Sequence, residues 1–280
     1  MSRPHAFVIC AYGNSPYLEE CIRSLKEQSV KTDILLCTST PSGYIEKLTE
    51  KYRIPMYVRE GKSGIREDWL FALETAGKDH RLVTIAHQDD RYHRHYVKTL
   101  LEAWEDWPDM TVFASDYVVL KTREEHLPDG TLYPVRTVVK AADRVRFVKK
   151  LLRMPLRFRF LADRRWIKQS TLVLGNSVCC PSCTYNCEIL GVDLFRSGYA
   201  FVLDWDNLWE LAGRSGRFVV EEKPLIAYRV HDGAATKQCI ENNRRTEEET
   251  AMFRKLWPAW AADLLMKFYR KAGEAYGEET

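Results

Sequence analysis

The chain has 280 residues, 45% of them hydrophobic and 29% charged, with a formal net charge of +3; it can bury a full core, is not disordered, and carries too little charge to argue for nucleic acid. No apolar run approaches the ~20 residues that span a bilayer, and the short apolar start reads as a strand rather than a signal peptide. Eight cysteines without an export signal read as reduced thiols in the cytoplasm.

Residues 1–120 alternate strand and helix signals, which predicts a parallel sheet with crossover helices. Ala6-Phe7-Val8-Ile9-Cys10-Ala11 suits a buried strand, broken by Gly13-Asn14-Ser15-Pro16. Ser15 is the expected N-cap and Pro16 the first helical residue, with Leu18, Ile22 and Leu25 at helical spacing. Ile34 to Cys37 is the second strand, Gly43 to Tyr52 a helix, and Met56 to Val58 a short third strand. Gly64 to Ala76 is a helix with Trp69, Leu70 and Leu73 on its buried face. Leu82 to Ala86 is the fourth strand, Tyr96 to Trp107 a helix, and Thr111 to Leu120 a long strand.

The pattern then changes. Pro128-Asp129-Gly130 signals a turn, in a hairpin or a loop excursion. Asp143 to Arg159 starts as a basic helix with interleaved apolar residues, and Pro155 breaks it. This stretch reads either as a solvated helix face or as a surface for phosphate, anionic lipid head groups or nucleic acid; a peripheral membrane contact through 144–159 follows from the lipid alternative. Gly175 to Cys187 is rich in small residues and cysteine. Asp204-Trp205-Asp206 runs into a helix, Phe218 to Val220 and Leu225 to Val230 look like two strands, and the tail from Asn242 is helical.

The chemistry concentrates at His87-Gln88-Asp89-Asp90, directly after a buried strand. Adjacent carboxylates repel unless a cation lies near them, and ligands of open α/β sheets bind at the carboxyl ends of the strands. Hard divalent ions favour one or two carboxylates plus substrate phosphates. The pair therefore reads as a site for a metal and a diphosphate; the bland alternative is a capping or turn acid. Asp204 alone reads as an N-cap, and His231 alone as a structural histidine. Cys179, Cys180, Cys183 and Cys187 include a C-x-x-C spacing that can bind zinc, but no second pair stands at finger spacing.

The order and spacing of these segments resemble the inverting glycosyltransferases of family 2. Val8 to Asn14 with Tyr17 to Leu25 is similar to that family's first strand and helix, and Gly64 to Leu73 to its third-helix segment. Ile85 to Asp90 falls at its Asp-x-Asp-type metal motif, Leu203-Asp204-Trp205-Asp206 at its second acidic motif, and Tyr228-Arg229-Val230-His231 at a segment near the donor diphosphate. The resemblance implies a Rossmann-like, mixed but mainly parallel sheet flanked by helices, of the GT-A type, with a C-terminal helical extension. It implies a catalytic domain over 1–240, split into a nucleotide-sugar half (1–120) and an acceptor half (121–240), and an extension over 241–280. It further implies a nucleotide-sugar donor, a carbohydrate or lipid-linked acceptor, Mn²⁺ or Mg²⁺, and no nucleic acid.

Carried over residue by residue, the resemblance makes Asp204 the general base, with Asp90 and His231 on the metal. Donor contacts fall to Ala11, Tyr12, Asn14, Ser39, Gly64, Asp68, Trp69, Gln88, Asp89, Arg229 and Lys237. Asn176, Ser177, Ser182, Trp205 and Asp206 fall on the acceptor side. Two departures stand out: Cys37-Thr38-Ser39-Thr40 carries no carboxylate where the family has an acidic pair, and Leu203 replaces the Glu of the second motif. The alternatives are a nucleotidyltransferase, which would want a richer Gly and Lys/Arg phosphate loop than Ala11-Tyr12-Gly13-Asn14, and a non-catalytic nucleotide- or carbohydrate-binding module.

Overall fold

The computed structural model describes residues 3–126, 132–139, 143–231 and 243–277. In chain order its first elements are β1 (Arg3–Ala11), α1 (Leu18–Lys26), β2 (Asp33–Thr38), α2 (Gly43–Tyr52), β3 (Met56–Val58), α3 (Ile65–Gly77), β4 (His80–His87), β5 (Arg91–Tyr92), α4 (Tyr96–Asp106) and β6 (Met110–His126). There follow β7 (Leu132–Val139), α5 (Asp143–Arg153), α6 (Arg165–Ser170), β8 (Thr184–Asn186), α7 (Cys187–Leu190), α8 (Leu203–Ala212), β9 (Arg217–Val230) and two closing helices, Arg244–Leu256 and Ala259–Gly277. Two units emerge: Met1–Val118 with Val178–Arg196 and Ser215–Arg229, and Val119–Ser177 with Ser197–Arg214 and Val230–Thr280.

The first unit carries most of the sheet, whose strands run in the order β3-β2-β1-β4-β8-β6-β9-β5, with β7 pairing β6 off this path. β1 pairs in parallel with β2 and with β4, and β2 with β3. β8 runs antiparallel to both β4 and β6. The apolar runs predicted as strands are its core: Phe7, Val8, Ile9, Leu36, Leu82, Val83 and Ala86 are all buried, each large one worth ~1.5–3 kcal/mol against exposure. The chain winds outward from β1 through β2 to β3, then crosses back to β4 on the other side of β1. The strand order therefore reverses between β1 and β4, the place where open α/β sheets bind ligands. Cys10 pairs with Cys37 and His87 in register, so these strands end at one level.

One polar chain crosses this core. The His5 ring nitrogens bond Thr32 Oγ1 and Thr84 Oγ1, both at 2.8 Å, and Thr84 Oγ1 lies 2.5 Å from Thr184 Oγ1. The Tyr96 hydroxyl continues to Thr184 Oγ1 at 2.9 Å and donates to the Ser182 carbonyl at 2.8 Å.

Several expectations shift. Helix α1 begins at Leu18 after Tyr17, without a side-chain cap; the Ser15 oxygen accepts the Tyr17 N–H at 3.3 Å, ahead of the helix, and its hydroxyl donates to Asp89 Oδ1 at 2.5 Å. Trp69 and Leu70 are half-buried, and α3 buries Ala72, Leu73 and Ala76. The two strands expected around Pro224 are one, β9; Pro224 lies outside its register with β5, Arg91↔Ala227 and Tyr92↔Ile226, so its missing N–H costs no bond there. The cysteine-rich stretch supplies β8 and α7. Turn residues 128–130 lie outside the described residues, but β6 and β7 pair antiparallel from Val119↔Val139 to His126↔Leu132, the hairpin alternative.

In the second unit, α8 packs its buried Leu203, Trp205, Leu208 and Leu211 inward. Trp205 meets Phe253 edge-on at 5.1 Å and donates to the Leu172 carbonyl at 2.9 Å. Phe253 meets Tyr269 at 5.4 Å. Gly175 sits at φ +126°, and a Cβ there would lie 2.9 Å from the Tyr269 ring, so this close approach needs glycine. Among the described residues no helix is long and apolar enough to cross a membrane.

Candidate active site

The loops leaving β1, β2 and β4 are tied to one another at the strand reversal. Gln88 clamps the end of β1: its Oε1 accepts from the Tyr12 backbone N–H at 3.0 Å, and its Nε2 donates to the Tyr12 carbonyl at 2.9 Å. Gly13, at φ +58°, donates its N–H to Thr40 Oγ1 at 2.8 Å. Asn14 Oδ1 accepts from Ser42 Oγ at 2.7 Å, and Ser42 caps α2. The backbone at Tyr12 is thus fixed while its ring stands 61% exposed.

A carboxylate reaches the end of β2 after all, supplied by α3. Asp68 Oδ2 accepts from Ser39 Oγ at 3.0 Å, and its Oδ1 from Arg59 Nε at 2.8 Å. Gly64 is the extended residue that starts α3, beside Ser63, which shares a hydrogen bond with Ser39. Trp69 stacks on His87 at 5.3 Å and meets Phe195 edge-on at 5.1 Å.

Asp90 is strongly perturbed. It is buried; its Oδ1 accepts the Arg229 backbone N–H at 2.7 Å, and its Oδ2 has no hydrogen-bond partner. Burial pushes its pKa up to about 8, against the lowering effect of the Arg229 N–H. His87 Nδ1 lies 3.9 Å from Oδ2, but burial draws that imidazole down to about 4, so it is neutral at pH 7 and offers no compensating charge. An orphaned, desolvated carboxylate oxygen at a strand end fits a divalent cation, which would restore its ionised form. No group of three or more His, Cys, Asp and Glu among the described residues is arranged to hold an ion. A cation here would need oxygens from a bound diphosphate. The four cysteines at 179–187 form no such group either; Cys183 Sγ donates to the Cys179 carbonyl at 3.6 Å.

Arg229 serves the architecture. Its side chain is fully buried, donating from Nε to the Asp89 carbonyl at 2.8 Å and pairing with Glu20 at 2.7 Å, with Tyr17 beneath its guanidinium at 4.3 Å. Neither Glu20 nor Arg59 announced its role in the sequence, since each looks like an ordinary surface charge.

The second unit holds the other acidic motif. Asp204 lies in the first turn of α8, and its Oδ2 accepts from Asn176 Nδ2 at 2.7 Å. Asp206 is buried and paired with Lys255 at 2.7 Å. A carboxylate missed in the sequence, Glu248, holds the start of α8: it accepts the backbone N–H groups of Ala200, Phe201 and Val202, the shortest at 2.6 Å, and pairs with Arg244 at 2.8 Å. Only its position four residues after Arg244 hinted at an ordered carboxylate.

The structure brings Ala11, Tyr12, Asn14, Ser39, Gly64, Asp68, Trp69, Gln88, Asp89, Asp90 and Arg229 together in the first unit. Asn176, Ser177, Asp204, Trp205, Asp206 and His231 fall in the second. Ser177 is fully buried and donates to the Thr171 carbonyl at 2.8 Å. Ser182 belongs to the first unit, where it is fully buried and donates to the Cys179 carbonyl at 2.6 Å. Lys237 lies outside the described residues.

The sequence matches Glycosyl transferase family 2 over residues 6–171. No curated protein matches the chain. Among solved structures the chain is similar to S. aureus TarS 1-349, at 12% identity and a TM-score of 0.56, covering 94% of this chain and 69% of that one. It covers 60% of the same fragment solved with UDP-GlcNAc, at 13% identity, 84% of this chain and a TM-score of 0.53, and 37% of a longer TarS chain. A mannosyltransferase from Pyrobaculum calidifontis solved with GDP-Man and Mn²⁺ matches at 12% identity and a TM-score of 0.54, over 95% of this chain and 70% of that one. Glucosyl-3-phosphoglycerate synthase from Mycobacterium tuberculosis, solved with Mg²⁺ and UDP, matches at 14% and 0.50, over 85% and 77%. At these identities the likeness is one of fold. With more than half of its length inside the family match and a mixed, mostly parallel sheet of the GT-A type, the chain belongs to glycosyltransferase family 2.

Proposed function

We propose that this glycosyltransferase is an inverting enzyme that moves a sugar from a nucleotide-diphosphate sugar to an acceptor hydroxyl, with a divalent ion at Asp90, in polysaccharide or glycoconjugate assembly. The observation that carries the reading is the orphaned Oδ2 of Asp90 at the strand reversal. Related folds solved with UDP and Mg²⁺ or with GDP-Man and Mn²⁺ support the donor class and the ion. Asp90 would hold Mn²⁺ or Mg²⁺, with His231 as a second candidate ligand, and the ion would supply Lewis-acid neutralisation of the leaving diphosphate.

The chain's own residues do the rest. Tyr12 presents its exposed ring to the nucleoside base, as aromatic faces stack on bases elsewhere. Asp68 and Ser39 supply polar groups at the end of β2 in place of the missing acidic pair. Asp204, oriented by Asn176 and favoured as an anion by the α8 N-terminus, takes the acceptor proton as the hydroxyl attacks. The acceptor is a carbohydrate or lipid-linked hydroxyl. Residues 1–240 form the catalytic domain and 241–280 the helical extension. The free cysteines among the described residues suit a cytosolic setting.

Calorimetry and turnover with nucleotide sugars test the two roles separately. Asp90→Asn is expected to abolish Mn²⁺-dependent tightening of nucleoside diphosphate binding. Asp204→Asn is expected to bind donor normally while kcat falls by ~10²–10⁴, the usual worth of a general base. Near-normal turnover of Asp204→Asn removes the base, and ion-dependent binding by Asp90→Asn removes the metal site.

A further inference from the structure

An amphipathic segment in a globular protein normally turns its apolar side to the core. Residues 147–166 of the second unit bury Leu156 and Ala162 but leave most of their large apolar side chains outside. Phe147 (67% exposed), Val148, Leu151, Met154, Phe158, Phe160 and Trp166 (65%) face outward. Arg153 and Lys168 are buried instead, Lys168 donating to the Arg214 carbonyl at 2.6 Å. The remaining exposed residues of the stretch are Lys150, Arg157, Arg164 and Arg165. Every exposed side chain from 147 to 166 is thus either large and apolar or a cation, and the single acid, Asp163, is half-buried, 3.6 Å from Arg164 Nε, so the one acid of the stretch pairs with one of its four exposed cations.

A second apolar stripe lies on the last helix. Trp260 (74% exposed), Leu264 and Phe268 recur at every fourth position and so share one face. Both elements belong to the second unit.

We infer that the face formed by residues 147–166 seats the protein on an anionic bilayer, with aromatic and aliphatic side chains entering the headgroup boundary and the four cations pairing with lipid phosphates. The composition selects this occupant. Aromatic side chains interleaved with Lys and Arg are what an interfacial element needs. A twofold contact with a second copy would bring those four cations against their own equivalents, with no exposed acid in the stretch to offset them. The inference stands apart from the catalytic reading, because Asp90 and Asp204 take no part in it.

The test is co-sedimentation of the full chain with phosphatidylcholine vesicles, with and without phosphatidylglycerol. The wild type is expected to pellet with the anionic vesicles, to stay in solution with phosphatidylcholine alone, and to be released by salt. Brominated lipid is expected to quench its tryptophan fluorescence. Replacing Lys150, Arg157, Arg164 and Arg165 by Gln should weaken binding about fivefold per cation, on the order of several hundredfold in all. Replacing Phe147, Leu151, Phe158 and Trp166 by Ser should abolish it, and these positions are exposed, so melting should be unchanged. Asp204→Asn should bind as the wild type does, which separates this inference from the catalytic one. Failure to pellet with anionic vesicles at low salt overturns the inference. So does undiminished binding by the Ser variant. A dimer in equilibrium sedimentation that the Ser changes dissociate, without vesicle binding, assigns the face to a second copy and also overturns it.

Discussion

Glu248 offers the most exacting test of how α8, the helix that carries Asp204, is held. Its carboxylate receives three consecutive backbone N–H groups, those of Ala200, Phe201 and Val202, immediately ahead of α8. Losing an ordinary N-cap costs ~0.5–2 kcal/mol, and each buried donor left unsatisfied costs ~1–3 kcal/mol. Val202 is buried while Ala200 and Phe201 are half-buried, so water can rescue two of the three donors. Glu248→Ala should therefore lose about 3 kcal/mol. Glu248→Gln, which keeps one acceptor oxygen but not the charge, should lose ~1 kcal/mol. The exposed Arg244 partner adds less than ~1 kcal/mol.

The same bonds have a pH signature. Burial raises the Glu248 pKa, but Arg244 and the three N–H groups outweigh it, and the net value lies below 4.5. The carboxylate's stabilisation is thus present above pH 4.5 and lost as pH falls through the lowered folded-state value. Urea titrations followed by circular dichroism should show wild type and Glu248→Gln separated at pH 7 and converging in acid. A Glu248→Ala protein within ~0.5 kcal/mol of wild type, or a gap that persists unchanged at pH 3, would refute the capping argument. Beyond stability, kcat should fall more than donor affinity, because the loosened segment leads into Asp204 and not into the loops around Tyr12 and Gln88.

Other outcomes follow from the buried polar groups. Arg229→Met removes a buried partner of Glu20 and a donor to the Asp89 carbonyl, and should cost ~3–5 kcal/mol in urea unfolding. Arg229→Lys should recover only part of this, since one ammonium cannot span both acceptors; full recovery by Lys would show that charge alone matters there. Burial lowers the His5 pKa to about 3 from 6.5, so the unfolded chain binds a proton that the folded chain refuses. Stability should fall as pH drops below 6.5, by up to ~1.4 kcal/mol per pH unit from this residue, down to about pH 3. His5→Gln should flatten that slope, measured as urea midpoints across pH; an equally steep slope would assign the acid sensitivity elsewhere.

Much of the first unit was legible because its information is local. Phe7 to Ile9, Leu35 to Cys37 and Leu82 to Ala86 are short apolar runs between polar helices, and such runs have few places to go except a buried parallel sheet. The position of Asp89-Asp90 at a strand end followed from the same pattern. Ser15 was misread because the capping rule works by position along the chain, whereas here a turn at Pro16 and Tyr17 delays the helix to Leu18 and the Ser15 oxygen accepts the Tyr17 N–H, ahead of the helix. β8 was missed because Thr184-Tyr185-Asn186 is too short to show a period, and it is a strand only through its pairing with Val83 and Val112.

The bonds that define the site have no counterpart in the linear pattern. Arg229 reaches Asp90 across 139 positions, Asp68 comes from α3 to fill the place left empty at the end of β2, and Glu248 caps a helix that starts 45 residues before it in the chain. Periodicity and turn chemistry are properties of neighbours along the backbone, so strands, helices and the strand-end carboxylates could be taken from the amino-acid order. Which buried charge meets which donor depends on how distant segments pack, and the cost of an unmatched buried charge leaves no periodic trace in the residues that resolve it.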